Sequence, residues 1–309
     1  MFETLNNIDI LLPALVTSPA LKFIYGLAGS DAIASKSSLA YNLIKQYGIA
    51  ASGTMMPVTF IIDNDAIDSE RELEMFNAQY DPNKMYILKK NIQRQEGVKL
   101  TSDKAEILDV FKNPSGYVVC QELLQDPLLV GGRKVNIRIY MLIVSRPGGI
   151  TNIYTYKDGF MYYTPEMFRA GYYSTATNIT TGYIDRQVYV DNPLTYQDLL
   201  THLGVNGASL LDQNINRLLG RVANAYTPLF KAANETTKSD AIRFLIYGCD
   251  IAPDQALGAK IMEVNKGPDL SYKDERDKTL KLGMFKEALE IAGVIVRDST
   301  SSHRFKKHT

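Results

Sequence analysis

Lys260-Ile261-Met262-Glu263-Val264-Asn265-Lys266-Gly267-Pro268-Asp269-Leu270-Ser271-Tyr272 reads as a short apolar strand that runs out into a Gly-Pro turn. Side chains alternate across a strand, so Glu263 and Asn265 share one face. A carboxylate and an amide oxygen pointing the same way make a hard-oxygen half-site for Mg²⁺. Upstream, residues 243–251 (RFLIYGCDI) form a second strand candidate that carries Asp250 near its end. A turn containing Pro, Asp and Gly joins the two, which predicts an antiparallel hairpin. Asp250, Glu263 and Asn265 then meet at one end of a sheet, beside a place for a nucleotide's phosphates. The plainer alternative is three ordinary polar residues at strand ends.

Other stretches bear on the choice. Residues 117–145 run Tyr117-Val118-Val119-Cys120-Gln121-Glu122-Leu123-Leu124, then Pro127-Leu128-Leu129, then Gly132-Arg133-Lys134-Val135-Asn136-Ile137-Arg138 and an apolar strand. Met56-Pro57-Val58-Thr59-Phe60, Tyr86-Ile87-Leu88-Lys89-Lys90 and Ala176-Thr177-Asn178 flank them in order. Together with Glu263-Val264-Asn265-Lys266-Gly267-Pro268, this series resembles the tubulin–tyrosine ligase-like family over residues 56–290. That family's pattern has Val-Gln-Lys-Tyr-Ile, Asn-Pro-Leu-Leu, Gly-Arg/Lys-Lys-Phe-Asp-Ile/Leu-Arg, Leu-Thr-Asn and Glu-Val-Asn-x-x-Pro. The resemblance implies an α+β, ATP-grasp fold in which two lobes clamp ATP between antiparallel sheets. On that basis residues 1–55 are expected to form a small N-terminal subdomain, 56–124 the central lobe, 125–296 the C-terminal lobe, and 297–309 a disordered basic tail.

The composition is that of a globular protein and excludes several classes. The 309 residues are 45% hydrophobic and 22% charged, with 34 Lys+Arg balancing 34 Asp+Glu. Zero net charge argues against nucleic-acid binding by bulk electrostatics. Cys120 and Cys249 both lie in apolar runs and read as buried thiols of a reducing compartment. The three histidines are His202, His303 and His308, two of them in the tail, which disfavours a His-based zinc site or triad. Residues 10–16 (ILLPALV) are too short, and too acidic upstream, for a signal peptide. No run approaches the length of a membrane span, so a cytoplasmic protein is expected.

Periodicity predicts the elements. Helices are expected over 35–47 (stopped at Gly48), 68–79, 104–112, 195–203, 207–233 and 273–292. Strands are expected over 58–62, 85–89, 117–123, 135–144 and 151–158, with the hairpin at 243–265.

The resemblance then assigns the cleft. Lys89 ends an apolar strand and would meet a phosphate. Gly97 closes the loop Gln93-Arg94-Gln95-Glu96-Gly97, which falls where the family carries a Gly-x-Gly phosphate lid, although Gln95 replaces its first glycine. Gln121, Glu122, Leu123 and Leu124 fall on the strand that binds adenine, with Glu122 where Lys or Arg is usual. Lys134, Asn136 and Arg138 alternate on one face of an otherwise apolar strand, and an exposed polar face is the bland reading of that row. The functional reading has Lys134 and Arg138 neutralise triphosphate and acyl-phosphate charge, Arg138 by bidentate contact, and so serve as the catalytic residues. Asn136 replaces the family's Asp. After an expected turn at Lys157-Asp158-Gly159, Tyr162 stands at the position of a family Arg, with Arg169 a few residues on.

These assignments imply ATP and Mg²⁺ as cofactors, with an amino acid and a protein or peptide carboxylate, tubulin's among the candidates, as partners. The implied reaction is amide formation through an acyl-phosphate, with no membrane or nucleic-acid partner. The alternative is a degenerate member of the fold that binds a nucleotide or a protein without ligating, which the changes at Gln95, Glu122, Asn136 and Tyr162 favour and the intact Asp250/Glu263/Asn265 set opposes.

Overall fold

The strand that carries Lys134, Asn136 and Arg138 lies at the centre of the molecule. The computed structural model describes residues 22–63, 65–92, 97–236, 240–297 and 302–309. Gln95 and the rest of 93–96, and the apolar run 10–16, lie outside the described residues.

Four strands form the smaller sheet in the order β2-β5-β3-β4: β2 (Thr59–Ile61), β5 (Tyr117–Glu122), β3 (Tyr86–Lys90) and β4 (Val98–Thr101), all antiparallel. One of its faces packs Phe60, Leu88 and Cys120 against Phe76 and Phe111 of two helices. These helices are α3 (Ser69–Gln79) and α4 (Lys104–Lys112), and Asp68 and Asp103 cap their N-termini through side-chain oxygens.

The larger sheet has seven strands, with β1 (Phe23–Tyr25), β9 (Ile242–Pro253), β7 (Arg133–Arg146), β8 (Ile150–Tyr163) and β11 (Phe305–Lys307) in that order. Two more join it: β10 (Ala259–Lys266) pairs with β9 and β6 (Leu129–Val130) with β7. The hairpin read from the sequence is β9–β10, antiparallel, with Glu263 opposite Asp250.

Two-residue periodicity explains how this sheet makes a site. Val135, Ile137, Ile139, Met141 and Ile143 of β7 face the main core, under the long helix α7 (Tyr196–Glu235). Tyr140, Leu142 and Val144 face the other side, where Met284 and Ala288 of α8 (Glu275–Ala292) cover them. Lys134, Asn136 and Arg138 continue that second row and line a cavity instead. Gly204 divides α7 through a non-helical φ of 68°, where the two separate helices were expected. No helix among the described residues is long and apolar enough to cross a membrane.

Three expectations change. Gly48 does not end α2 (Lys36–Ser52): it is a kink, after which the helix resumes to Ser52. Lys157-Asp158-Gly159 is not a turn but a register shift inside one strand, β8. Gly159 permits it, since a Cβ there would lie 2.2 Å from the Arg138 carbonyl oxygen. The tail is ordered over 302–309: β11 pairs with β8, and Phe305 packs on Tyr156 with ring centroids 4.9 Å apart. Its lack of apolar periodicity hid a strand held by a single aromatic.

Candidate active site

The two sheets face each other across a cavity of about 670 Å³. The smaller sheet contributes Lys89, Val98 and Glu122, with Leu123 and Leu124 following β5. The larger contributes Lys134, Asn136, Arg138, Tyr162, Asp250, Glu263 and Asn265. Ten of the twelve residues that the sequence assigned to nucleotide or metal therefore line one space, together with Tyr162.

Gln121 and Gly97 do not line it. Gln121 shares the sheet face of Ile87 and Lys89 but is buried behind Lys89, against Thr59. Gly97, at φ +75°, packs on the Lys90 side chain. Among the adenine-strand candidates, Glu122 pairs with Lys84 at 2.8 Å, and the Leu124 carbonyl accepts from Lys134 Nζ at 3.2 Å.

The cations fall into two sets. Lys89 and Lys134 are buried, at 8% and 5% exposure, and both meet uncharged oxygens. Lys89 Nζ donates to Gln121 Oε1 at 2.7 Å and Lys134 Nζ to Asn178 Oδ1 at 2.8 Å. Burial pushes each ammonium down to about 8. Lys134 also lies over the Phe168 ring, 5.0 Å from its centroid.

Arg138 and Lys36 are tied to carboxylates. The Arg138 guanidinium grips Asp250 through Nε and Nη2, and Tyr162 stacks beneath it at 4.9 Å. Its side chain crosses β9 at Gly248, where a Cβ would lie 2.5 Å from Arg138 Cδ. Lys36, in the first turn of α2, reaches Glu263 at 3.3 Å.

Asp250, Glu263 and Asn265 converge as the strand reading required. Asn265 Nδ2 donates to Asp250 Oδ2 at 3.2 Å and to Glu263 Oε1 at 3.1 Å. Burial pushes Asp250 up to about 6, against the pull of Arg138. Burial also disfavours the Glu263 charge, but Lys36, the Asn265 amide and Lys89 outweigh it and bring the carboxyl down to about 2. A bulge between Ile261 and Glu263 turns both Met262 and Glu263 toward the cavity.

The donor chemistry fits Mg²⁺. No group of three or more His, Cys, Asp or Glu side chains suited to a metal occurs among the described residues. Mg²⁺ characteristically takes one or two carboxylates and completes its shell with water and phosphate. Asp250 and Glu263 supply two carboxylates side by side, and Asn265 would add its oxygen by presenting the other side of its amide.

Sequence reasoning missed Lys36, Gly248 and Lys266, which pairs with Asp31 at the start of α1 (Asp31–Ala34). One signal for Lys36 was available: a cation in the first turn of a helix opposes the macrodipole and calls for a nearby anion. Asn178 had been noted as part of a motif but given no role, and it holds Lys134. Tyr162 faces the cleft, as expected from its position.

Comparison with known proteins follows the same line. The sequence profile of the Tubulin-tyrosine ligase family matches residues 21–302. The chain is 25% identical over 231 residues to the probable tubulin polyglutamylase TTLL9 of Bos taurus, covering 65% of this chain and 48% of that protein. It is 24% identical over 262 residues to the probable alpha-tubulin polyglutamylase Ttll1 of Tetrahymena thermophila, covering 78% of this chain and 62% of that protein. Similarity to tubulin glycylase 3B of Drosophila melanogaster is 23% over 233 residues, covering 71% of this chain and 30% of that protein. The chain thus spans about half the length of the TTLL9 proteins of Bos taurus and Rattus norvegicus.

Proposed function

The chain belongs to the tubulin-tyrosine ligase family, and from that premise we propose that it is an ATP-dependent ligase joining an amino acid to a protein carboxylate, with tubulin the first acceptor to test. The observation that carries this reading is the pair of buried lysines, Lys89 and Lys134, facing one cavity with only uncharged partners. A desolvated ammonium with no carboxylate in contact is costly, and a polyphosphate supplies that contact. The relatives' names support a protein-modifying reaction, since the curated proteins it resembles are tubulin polyglutamylases and a glycylase.

In the reaction, an oxygen of the acceptor carboxylate attacks the γ-phosphorus and ADP leaves. The donor's amine nitrogen then attacks the activated carbonyl, loses a proton and expels phosphate. Lys89 and Lys134 hold the triphosphate from opposite sheets. Leu123 and Leu124 flank the base. Arg138, oriented by Asp250 and Tyr162, faces the charge that develops on the transferring group. Mg²⁺ held by Asp250, Glu263 and Asn265 would supply charge neutralisation on the phosphate oxygens. This chemistry is dominated by positioning and electrostatics and needs no side-chain nucleophile. Cys120 and Cys249 are buried, and burial drives both thiols above the usual range.

Placed beside Tyr162, which stands at the position of a family Arg, a donor would meet Tyr162 and Asp269, with Arg138 already engaged by Asp250. A neutral donor therefore fits better than glutamate.

The test is incubation with Mg-ATP, each amino acid in turn and tubulin, read by mass spectrometry of the acceptor. A mass shift that needs ATP and one amino acid is expected. Tight nucleotide binding with no mass shift on any acceptor favours the second reading, a binding protein without ligase activity, which Asn136 and Tyr162 support by replacing the family's charged residues.

A further inference from the structure

Lys89 is held from behind by a directional relay. Its Nζ donates to Gln121 Oε1, Gln121 Nε2 donates to Thr59 Oγ1, and Thr59 Oγ1 donates to the Pro57 carbonyl, each at 2.7 Å. All three side chains are buried. The direction of the chain is fixed at its far end. A carbonyl only accepts, so the single hydroxyl proton of Thr59 points at Pro57. The Thr59 oxygen is left as an acceptor and selects the nitrogen of the Gln121 amide. The amide oxygen must then face the ammonium. Strand pairing places the parts, since Thr59 lies opposite Gln121 across β2–β5, and Gln121 lies opposite Ile87, two residues from Lys89 on β3.

We infer that Thr59 is a positioning residue for the bound anion: acting through Gln121, it fixes the Lys89 ammonium at the cavity edge with its remaining protons free. The inference rests on the ligase reading only for the identity of that anion. Without the hydroxyl, the Gln121 NH₂ loses its buried acceptor, and the amide whose oxygen places the ammonium loses its anchor.

The experiment is a double-mutant cycle on Thr59 and Lys89, read by calorimetric titration with a Mg²⁺-loaded non-hydrolysable ATP analogue. Thr59→Val weakens binding roughly tenfold, as for one hydrogen bond to a charged group. Thr59→Ser restores parental affinity. In a Lys89→Met background, Thr59→Val causes no further loss. Equal losses in both backgrounds would show a merely structural role and overturn the inference.

A second readout is independent of nucleotide. The ¹⁵N signal of the Lys89 ammonium is sharp in the parent and in Thr59→Ser, and broadened beyond detection in Thr59→Val. An unchanged signal in Thr59→Val overturns the inference. If the parent binds no nucleotide, the ligase reading falls and this signal alone decides the role of Thr59. If the orphaned Gln121 amide keeps Thr59→Val from folding, the paired change Thr59→Val with Gln121→Met removes both relay groups and carries the same expected losses.

Discussion

Lys89 and Lys134 lie on opposite sheets, and each gives its ammonium protons to uncharged oxygens. Arg138 and Lys36 line the same cavity but are held by Asp250 and Glu263. With Lys266, which pairs with Asp31, five cations line one space and do two kinds of work. The first pair has no carboxylate in contact; burial dominates both ammoniums, nearby Glu263 offsets only part of the cost at Lys89, and an arriving anion would offset more. The compensated pair sets the shape and charge of the carboxylate end. Stability has been given up on one side of the cavity, and kept on the other to orient the carboxylates proposed to hold Mg²⁺.

Breaking the carboxylate end has the largest expected effect. Glu263→Gln removes one of the two carboxylates and lowers ligase turnover by roughly a thousandfold, the scale of losing a central electrostatic contribution. The Glu263 carboxyl stands well below its usual range and holds Lys36, so losing its charge also lowers the thermal midpoint at neutral pH. Retention of full ATP-dependent activity in an acceptor-labelling assay would remove Glu263 from the metal site.

The next prediction separates the two cation sets by stability. Arg138→Ala leaves Asp250 buried without its partner and costs about 3–5 kcal/mol in denaturant unfolding. Lys89→Met and Lys134→Met go the other way. Each lysine falls from 10.5 to about 8 in the folded chain. The folded state therefore holds these protons less tightly than the unfolded one, and stability rises as pH climbs from about 8 toward 10.5. Below about 8 the cost of the charge is carried in full. Removing it stabilises the ligand-free protein, less the loss from an orphaned amide oxygen, for a net gain of about 1 kcal/mol per site. A large loss in either lysine variant would place these residues in the structural set with Arg138.

The sequence was most legible where a single periodicity governs. Alternation along β10 put Glu263 and Asn265 together, and alternation along β7 aligned Lys134, Asn136 and Arg138, because neither reading needs more than the strand itself. Gln121 failed for another reason. It shares the face of Ile87 and Lys89 but sits behind Lys89, a depth that alternation along one strand does not give. Gly248 left no trace and Lys36 only the sign of a cation in a helix's first turn, because their partners depend on packing between distant segments, the Arg138 side chain across β9 and the start of α2 on β10. β11 escaped because a three-residue strand anchored by Phe305 has no period to detect.

The central claim is that Lys89 and Lys134 wait for a polyphosphate. Calorimetric titration of a non-hydrolysable ATP analogue with Mg²⁺ into the parent and into the Lys89→Met/Lys134→Met double variant tests it most directly. The account predicts affinity on the order of micromolar in the parent, at least about a hundredfold weaker in the double variant. It also predicts weaker parental binding at a pH above about 8, where both ammonium groups lose their protons. Equal affinity in the two proteins, or no binding by the parent at neutral pH, would contradict it.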